Sequence, residues 1–303
     1  MNMEDQQKFS SVVKGIAPGS RLLRVWDLQG GVSARTVAVE FERPGGEHER
    51  AVVRLHGEVD RSSNPNIAAD EFRLLEIVHA AGIPVAAPLY LDTSCELFEI
   101  PYLVVAFVDG ASDFEPVDMS AYTAVVAEQL AAIHRVDTAS ADLTFLPAQQ
   151  HRVARRLDER PARLDGALSE GWIRDALEAV WPPDSANPPR LLHGDYWPGN
   201  LLWRDGELAA VIDWEDAATG DPLADIGNCR LELLWAFGED GMSAFTEHYR
   251  ALMPSLDYGN LPYWDLYAAL HPAGKLSGWG LEAEAVRRMQ AQHRGFVERA
   301  LGG

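Results

Sequence analysis

One stretch of the chain, residues 193–215, constrains the fold and the chemistry more than any other. It reads HGDYWPGNLLWRDGELAAVIDWE and sets a polar loop with Asp195 and Asn200 between two apolar runs of strand-like length. The second run ends on Asp213, so two carboxylates and a carboxamide follow one another in a single segment. Phosphoryl transfer needs such a set, because a carboxylate orients the attacking hydroxyl and oxygen ligands hold Mg²⁺ on the phosphates. The segment therefore predicts a phosphoryl-transfer site.

The order and spacing of these residues resemble a known family. Asp195 and Asn200 are five positions apart and Asp213 ends the next predicted hairpin, which is the pattern HGDxxxxN…IDWE of the aminoglycoside phosphotransferase family. The resemblance extends from Arg21 to about Phe237 and implies a protein-kinase-like fold. By that resemblance Asp195 is the catalytic residue, and Asn200 and Asp213 bind Mg²⁺. For Asp195 taken alone, a turn residue that only caps backbone amides is the alternative.

The apolar pattern before this stretch predicts a sheet, and the pattern after Gly110 is mostly helical. Strand-like runs are expected at 21–29, 33–41, 50–55, 88–92 and 102–107, with a helix at about 67–81 between the third and the fourth. Together with the resemblance, this predicts an α+β, bilobal protein-kinase-like fold. Residues 1–108 are expected to form an N-terminal lobe with an antiparallel sheet and one helix. Residues 109–303 are expected to form a larger, mainly helical lobe, and both lobes make one kinase-like domain.

Candidate nucleotide contacts lie in the first predicted lobe. Arg54 ends a strand where kinase-like proteins place a cation for the α- and β-phosphates, and Glu71 on the next helix is its predicted ion-pair partner. Gly31 and Ser33 stand in a glycine hairpin that is similar to the phosphate loop of the family. Such a hairpin also forms plain β-turns, so the glycines alone do not decide between the two.

The resemblance also implies the cofactors and the kind of acceptor. ATP, with GTP as an alternative, and Mg²⁺ are the expected cofactors, and the Ala106 carbonyl and the Val108 amide are expected to contact the adenine edge. Only eight positions separate Asp213 from Asp221, and a protein substrate normally docks on a longer segment there. We therefore expect a hydroxyl of a small molecule, rather than of a protein, as the acceptor.

Two further residues are predicted to support the catalytic loop. The segment GDPLAD ends at Asp225, and in the family this second aspartate braces the loop through backbone amides. Asp221 and Pro222 at its start are also ordinary residues for the beginning of a helix, which is predicted over residues 223–237. His134 closes an uninterrupted apolar helical stripe and is predicted to be a packed structural histidine.

The chain is acidic and has no long apolar run. Its 303 residues include 26 Lys and Arg against 46 Asp and Glu, a formal net charge of −20. Nucleic acids and anionic membranes bind basic patches, so neither is expected as a partner. No apolar run approaches the ~20 residues that cross a bilayer, and the start MNMEDQQKF does not resemble a signal peptide, so the predicted location is the cytoplasm. The charge suits a cationic acceptor, such as an aminoglycoside or another amino sugar, and it also suits solubility alone.

The residues and the resemblance together predict an ATP- and Mg²⁺-dependent kinase that transfers the γ-phosphoryl group to a hydroxyl of a small molecule. The chain contains neither G-x-x-x-x-G-K-[ST] nor G-x-S-x-G, which excludes the P-loop and α/β-hydrolase interpretations. Two alternatives stay open. One is a catalytically silent nucleotide-binding module, and the other is a metal-dependent hydrolase with His193, Asp195 and Asp213 as ligands.

Overall fold

The computed structural model describes residues 3–28, 34–138, 141–183 and 187–302. Its strands are β1 (Arg21–Asp27), β2 (Ala34–Glu42), β3 (His48–His56), β4 (Pro88–Asp92), β5 (Tyr102–Ala106), β6 (Arg190–Leu192), β7 (Leu201–Arg204), β8 (Glu207–Val211) and β9 (Ala218–Gly220). Its helices are α1 (Met3–Ile16), α2 (Glu58–Ser63), α3 (Ile67–Ala80), α4 (Met119–His134), α5 (Gln149–Asp158), α6 (Glu170–Val180), α7 (Leu223–Leu252), α8 (Leu261–Ala269) and α9 (Ala283–Gly302).

The chain divides into two compact units. The first comprises Met1–Gly110 and Arg204–Glu215, and the second comprises Ala111–Trp203 and Asp216–Gly303. The first unit therefore takes up a short segment that lies far along the chain. The predicted lobe boundary between residues 108 and 109 stays a prediction.

An antiparallel sheet of five strands forms the first unit, in the order β1-β2-β3-β5-β4. Residues of β2 alternate between the two faces, so Val37, Val39 and Phe41 share one buried face. Helix α1 packs in the same core through Phe9 and Val12, which are three positions apart and therefore on one side of the helix. The sequence pattern thus predicted this sheet, and β3 lies at its centre with Arg54 near its end.

Helices make up most of the second unit, as predicted. Helix α4 begins after Asp118, whose side chain accepts a hydrogen bond from the Ala121 amide at 3.0 Å and so caps the helix. The predicted apolar stripe of α4 is buried, including Leu130 and Ile133. Helix α7 begins as the sequence predicted and has a non-helical residue at Gly238, directly after the predicted helix end.

A short strand pair positions the predicted catalytic loop within the second unit. Strands β6 and β9 run antiparallel, with Arg190 opposite Gly220 and Leu192 opposite Ala218. Both leucines of β6 are fully buried, and this burial anchors the end of the strand, where the loop begins at His193. None of the helices in the described part of the chain is long and apolar enough to cross a membrane.

Candidate active site

Arg54 is a buried cation held by three carboxylates within the first unit. Its Nε lies 3.2 Å from Oε1 of Glu71, its Nη1 lies 2.9 Å from Oδ1 of Asp213, and its Nη2 lies 2.9 Å from Oε2 of Glu215. The side chain is only 10% exposed. Burial alone would lower the pKa of this guanidinium, but the charges of the three carboxylates outweigh burial and raise it. The predicted Arg54–Glu71 ion pair is present, and the sequence did not indicate the other two bonds.

Glu71 has a second partner besides Arg54. It lies on the inward face of α3, and its Oε2 is 2.7 Å from Nε2 of His56. Burial would raise the pKa of the Glu71 carboxyl, but Arg54 and His56 outweigh it and lower the pKa. Glu71 is therefore an ionised, buried carboxylate with a hydrogen bond to His56 on one oxygen and an ion pair with Arg54 on the other.

Asp213 and Glu215 follow β8 in a bend of the backbone. Asp213 has φ of 61°, in the left-handed region that aspartate tolerates better than most residues. Its side chain is 34% exposed, more than that of Glu215 at 16%. Arg54 thus fixes one carboxylate oxygen of Asp213, and the carboxylate as a whole stays partly exposed.

The structure places two of the four other predicted nucleotide residues. Ala106 is the last residue of β5, and its amide donates to the Ala87 carbonyl at 2.8 Å. Val108 lies two residues beyond, half-buried, in a segment without regular secondary structure. Gly31 and Ser33, the predicted phosphate-loop residues, lie outside the described residues.

Asp195 and Asn200 are joined by hydrogen bonds in the second unit. The Asn200 Nδ2 donates to the Asp195 carbonyl oxygen at 2.9 Å and to its Oδ2 at 3.1 Å. Asn200 is only 5% exposed, at the end of a short 3₁₀ turn. Because both bonds use the amide nitrogen, the carboxamide presents its oxygen to other partners.

Asp225 braces the loop from below, as the resemblance implied. Its Oδ2 accepts from the His193 amide at 2.8 Å, and its Oδ1 accepts from the Gly194 amide at 2.9 Å. The same carboxylate lies 3.1 Å from Nε2 of His134, whose Nδ1 lies 2.6 Å from the Tyr249 hydroxyl. Burial would raise the pKa of Asp225, but the histidine and the amides outweigh it and lower the pKa. His134 is the packed histidine that the sequence predicted, and it also supports the loop through Asp225.

Gly194 is required by the geometry of the loop. Its φ is +85°, and a Cβ at this position would lie 1.8 Å from the carbonyl oxygen of Asp216. No side chain fits at that distance. This position is therefore closed to any residue except glycine in this chain.

A further carboxyl group lies near Asp195. Glu232 is half-buried on α7, seven residues after Asp225 and four after Asn228, so the three lie on one side of the helix. This side of α7 contacts the loop that carries Asp195, because the Asn228 Nδ2 donates to the Tyr196 carbonyl at 3.4 Å. Burial, and then the charge of Asp195, raise the pKa of Glu232 to about 8.

Two aromatic rings lie beside the same loop. Trp197 folds over Gly199, and its ring centroid is 6.2 Å from that of Phe114. Phe114 is 47% exposed, which is unusual for a phenylalanine. The loop thus has a carboxyl pair and an aromatic pair in its neighbourhood.

A family model described as the phosphotransferase enzyme family matches residues 27–257. The chain belongs to this family. The match includes the Arg54 cluster, the catalytic loop with Asp195 and Asn200, and Asp225. The family predicted from the sequence is therefore confirmed, and with it the class of phosphotransferases.

Two relatives match part of this phosphotransferase chain. Acyl-CoA dehydrogenase family member 11 of Rattus norvegicus is 25% identical over 178 residues, which cover 54% of this chain and 23% of that protein. Stress response kinase A of Salmonella choleraesuis (strain SC-B67) is 28% identical over 191 residues, which cover 59% of this chain and 56% of that protein. The chain thus spans less than two thirds of the length of these relatives.

Solved structures show the same fold over nearly the whole chain. A candidate aminoglycoside phosphotransferase from Ralstonia eutropha JMP134 has a TM-score of 0.69 at 19% identity and covers 98% of both chains. Aminoglycoside phosphotransferase APH(4)-Ia in complex with ADP and hygromycin B has a TM-score of 0.61 at 18% identity and covers 97% of this chain and 99% of its own. The GDP complex of aminoglycoside 2'-phosphotransferase-IIIa has a TM-score of 0.65 at 18% identity and covers 98% and 96%. The kinase-like fold is confirmed.

Proposed function

We propose that the protein transfers the γ-phosphoryl group of ATP, with GTP as the alternative donor, to a hydroxyl of a small molecule. The observation that carries this proposal is the fixed pair of Asp195 and Asn200, in a loop whose amides are bound by Asp225. Asp195 orients the acceptor hydroxyl and accepts its proton. Preorganisation of this kind is what phosphoryl transfer asks of a protein, since the reaction needs positioning more than covalent chemistry.

The donor atoms of Asn200 and Asp213 suit Mg²⁺. This ion prefers hard oxygen ligands and binds few protein groups, because it keeps waters and substrate phosphates in its shell. Asn200 presents its carboxamide oxygen, and Asp213 is the most exposed of the three carboxylates on Arg54. When bound, the ion neutralises charge on the phosphates.

Arg54 and Glu71 position the α- and β-phosphates in this proposal. A guanidinium has five N–H groups, and hydrogen bonds to Asp213 and Glu215 use one on each Nη, so a second N–H on each Nη remains for phosphate oxygens. The Ala106 carbonyl and the Val108 amide contact the base, and Gly31 and Ser33 close over the phosphates. Both units act as one kinase-like domain in the cytoplasm, with lobes at 1–108 and 109–303.

A hydroxylated amine is the acceptor that the surroundings of Asp195 support best. Asp195 raises the pKa of Glu232, so the two carboxyl groups repel each other when both are ionised. An ammonium group relieves this repulsion, and the exposed ring of Phe114 beside Trp197 offers a face for a cation or a sugar. Aminoglycosides and other amino sugars belong to this class.

The burial of the His193 ring weighs against the metal-dependent hydrolase. The ring is fully buried, and its Nδ1 accepts a hydrogen bond from the Asp195 amide at 3.3 Å. Only Nε2 of this ring is left as a ligand atom, and it lies in a ring without solvent exposure. Among the described residues, no three His, Cys, Asp or Glu side chains gather in a way that could hold a metal ion.

The test is an acceptor panel assayed with ATP and with GTP, in which phosphorylated product is measured by mass spectrometry. The panel contains amino sugars, neutral sugars and hydroxylated zwitterions of similar size. Product formation that depends on both Mg²⁺ and an acceptor supports the proposal. Nucleotide binding without any product would support the silent binding module instead.

A further inference from the structure

His56 lies two residues after Arg54 on β3, so both side chains project from the same face of the sheet. Its side chain is fully buried, and its Nε2 is 2.7 Å from Oε2 of Glu71. The other oxygen of Glu71 lies 3.2 Å from Nε of Arg54. One carboxylate therefore connects a buried histidine to the buried arginine.

The charges around Arg54 explain why Glu71 needs this second donor. Arg54 carries one positive charge and shares it among Glu71, Asp213 and Glu215. A buried carboxylate with an incomplete set of donors is costly, since it has lost water and gains too little in return. His56 supplies the missing hydrogen bond on the oxygen that Arg54 does not reach.

The direction of the hydrogen bond follows from the ionisation of Glu71. Arg54 and His56 lower the pKa of this carboxyl against the effect of burial, so Glu71 is ionised and only accepts. Nε2 of His56 must then carry the proton. The histidine thus fixes the rotation of the carboxylate and directs the other oxygen to Arg54.

We propose that His56 is a positioning residue for nucleotide binding, which acts through Glu71 on the guanidinium of Arg54. The proposal rests on the proposed function, in which Arg54 binds the α- and β-phosphates. Without His56, the Glu71 carboxylate can rotate away from Arg54 when the guanidinium binds a phosphate. The guanidinium then loses the contact that fixes its orientation. His56 is required for affinity, and its own ring stays buried behind the site.

Two variants separate positioning from packing. His56→Leu removes the donor, whereas His56→Gln keeps an N–H at a similar reach. MgADP and MgGDP binding is measured by calorimetry, and folding is measured by thermal unfolding. We expect His56→Leu to weaken nucleotide binding by about 10-fold, near the lower limit for a hydrogen bond to a charged group, and His56→Gln to restore most of the affinity. His48→Leu, a more exposed histidine on the same strand, is the matched control and should bind as the wild type does.

A second background tests the route through Glu71. In Glu71→Gln, the change His56→Leu should weaken binding by much less than it does in the wild type, because the two residues act as one unit. Equal losses in both backgrounds would show that His56 acts by another route and would overturn the inference. If His56→Leu does not fold, His56→Asn takes its place, since its amide is too short to reach Glu71.

The outcomes also distinguish the inference from the proposed function. A wild type that binds neither nucleotide contradicts the proposed function itself. A wild type that binds nucleotide, together with a His56→Leu variant of equal affinity, overturns only the inference. A variant that melts earlier at unchanged affinity overturns it too, because it assigns His56 to packing alone.

Discussion

Asp195 is oriented before any acceptor arrives, because Asn200 bonds both its carbonyl and its carboxylate oxygen. Asp195→Asn keeps the size and an acceptor oxygen but removes the base. We expect turnover to fall by about 1000-fold with unchanged nucleotide affinity, since a general base contributes on the order of 10²–10⁴-fold. Product formation and calorimetry are the two measurements, and the exposed Asp240→Asn is the control. Turnover at the wild-type rate would remove Asp195 from the proposed role.

Glu232 leads to a prediction about pH at the same scale. Its pKa in the folded protein, about 8, is above its ordinary value of 4.5, owing to burial and to Asp195. The favourable contribution of its protonated form is complete below pH 4.5 and is lost as the pH rises towards 8. Glu232→Gln mimics the protonated form, so its advantage in free energy of unfolding over the wild type should grow across that range, on the order of a few kcal/mol.

Urea unfolding of the wild type and of Glu232→Gln at several pH values measures this difference. A difference in free energy of unfolding between the two proteins that stays constant from pH 4.5 to 8 would show that Glu232 has an ordinary pKa. In that case the repulsion from Asp195 would be absent, and with it the electrostatic reason for an amine acceptor.

The sequence predicted individual site residues better than their contacts. Arg54 and Glu71 were predictable as a pair, because a buried glutamate on the face of a helix calls for a cation. Glu215 and Glu232 were not, although IDWE contains the first of them. Each of them contacts a residue in a distant segment of the chain. Neither the apolar period nor the local spacing of a sequence indicates which distant segments meet. A signal for His56 was its position two residues from Arg54, on the same face of a strand.

At the scale of elements, the apolar period predicted most strands and helices, and the ends of α3 and α4 within a residue or two. It indicated an amphipathic segment in residues 1–20 but not that this segment packs on the sheet, because an apolar helix side does not encode which surface it covers. Helix α7 continues past Gly238 to Leu252, beyond the predicted end at Phe237. Glycine commonly ends a helix, yet packing can continue the helix after a single non-helical residue.

Gly194 provides a prediction about the catalytic loop. Gly194→Ala places a Cβ against the Asp216 carbonyl and should cost about 3 kcal/mol or more of unfolding free energy, with loss of activity as the loop shifts. Gly206→Ala is the matched control, because Gly206 has φ of +83° and open space around it. It should cost only about 1 kcal/mol from backbone strain. Equal losses in thermal and urea unfolding would mean that the contact with Asp216 is unimportant.

At the scale of the whole molecule, a formal net charge of −20 raises the local concentration of cations around the protein. If carboxylates hold an amine acceptor, its KM should rise several-fold between low salt and ~0.3 M, where the screening length falls to several Å. A neutral acceptor in the same assay is the control and should show a constant KM. A best acceptor that is neutral and indifferent to salt would exclude the amine, while the kinase proposal would stand.

The path of the chain between the two units affects the order in which the protein can fold during synthesis. The sheet unit ends at Gly110 and resumes only at Arg204–Glu215, where the Val211 amide donates to the Pro84 carbonyl at 2.7 Å. A ribosome that has made the first 110 residues has released Arg54 with Glu71 but not the other two carboxylates that bind it. Although domains generally fold from the N-terminus during translation, the ion pairs of Arg54 with Asp213 and Glu215 must wait for residues that follow almost one hundred others. The charged cluster on this sheet is therefore among the last parts of the nascent protein to reach its final set of bonds.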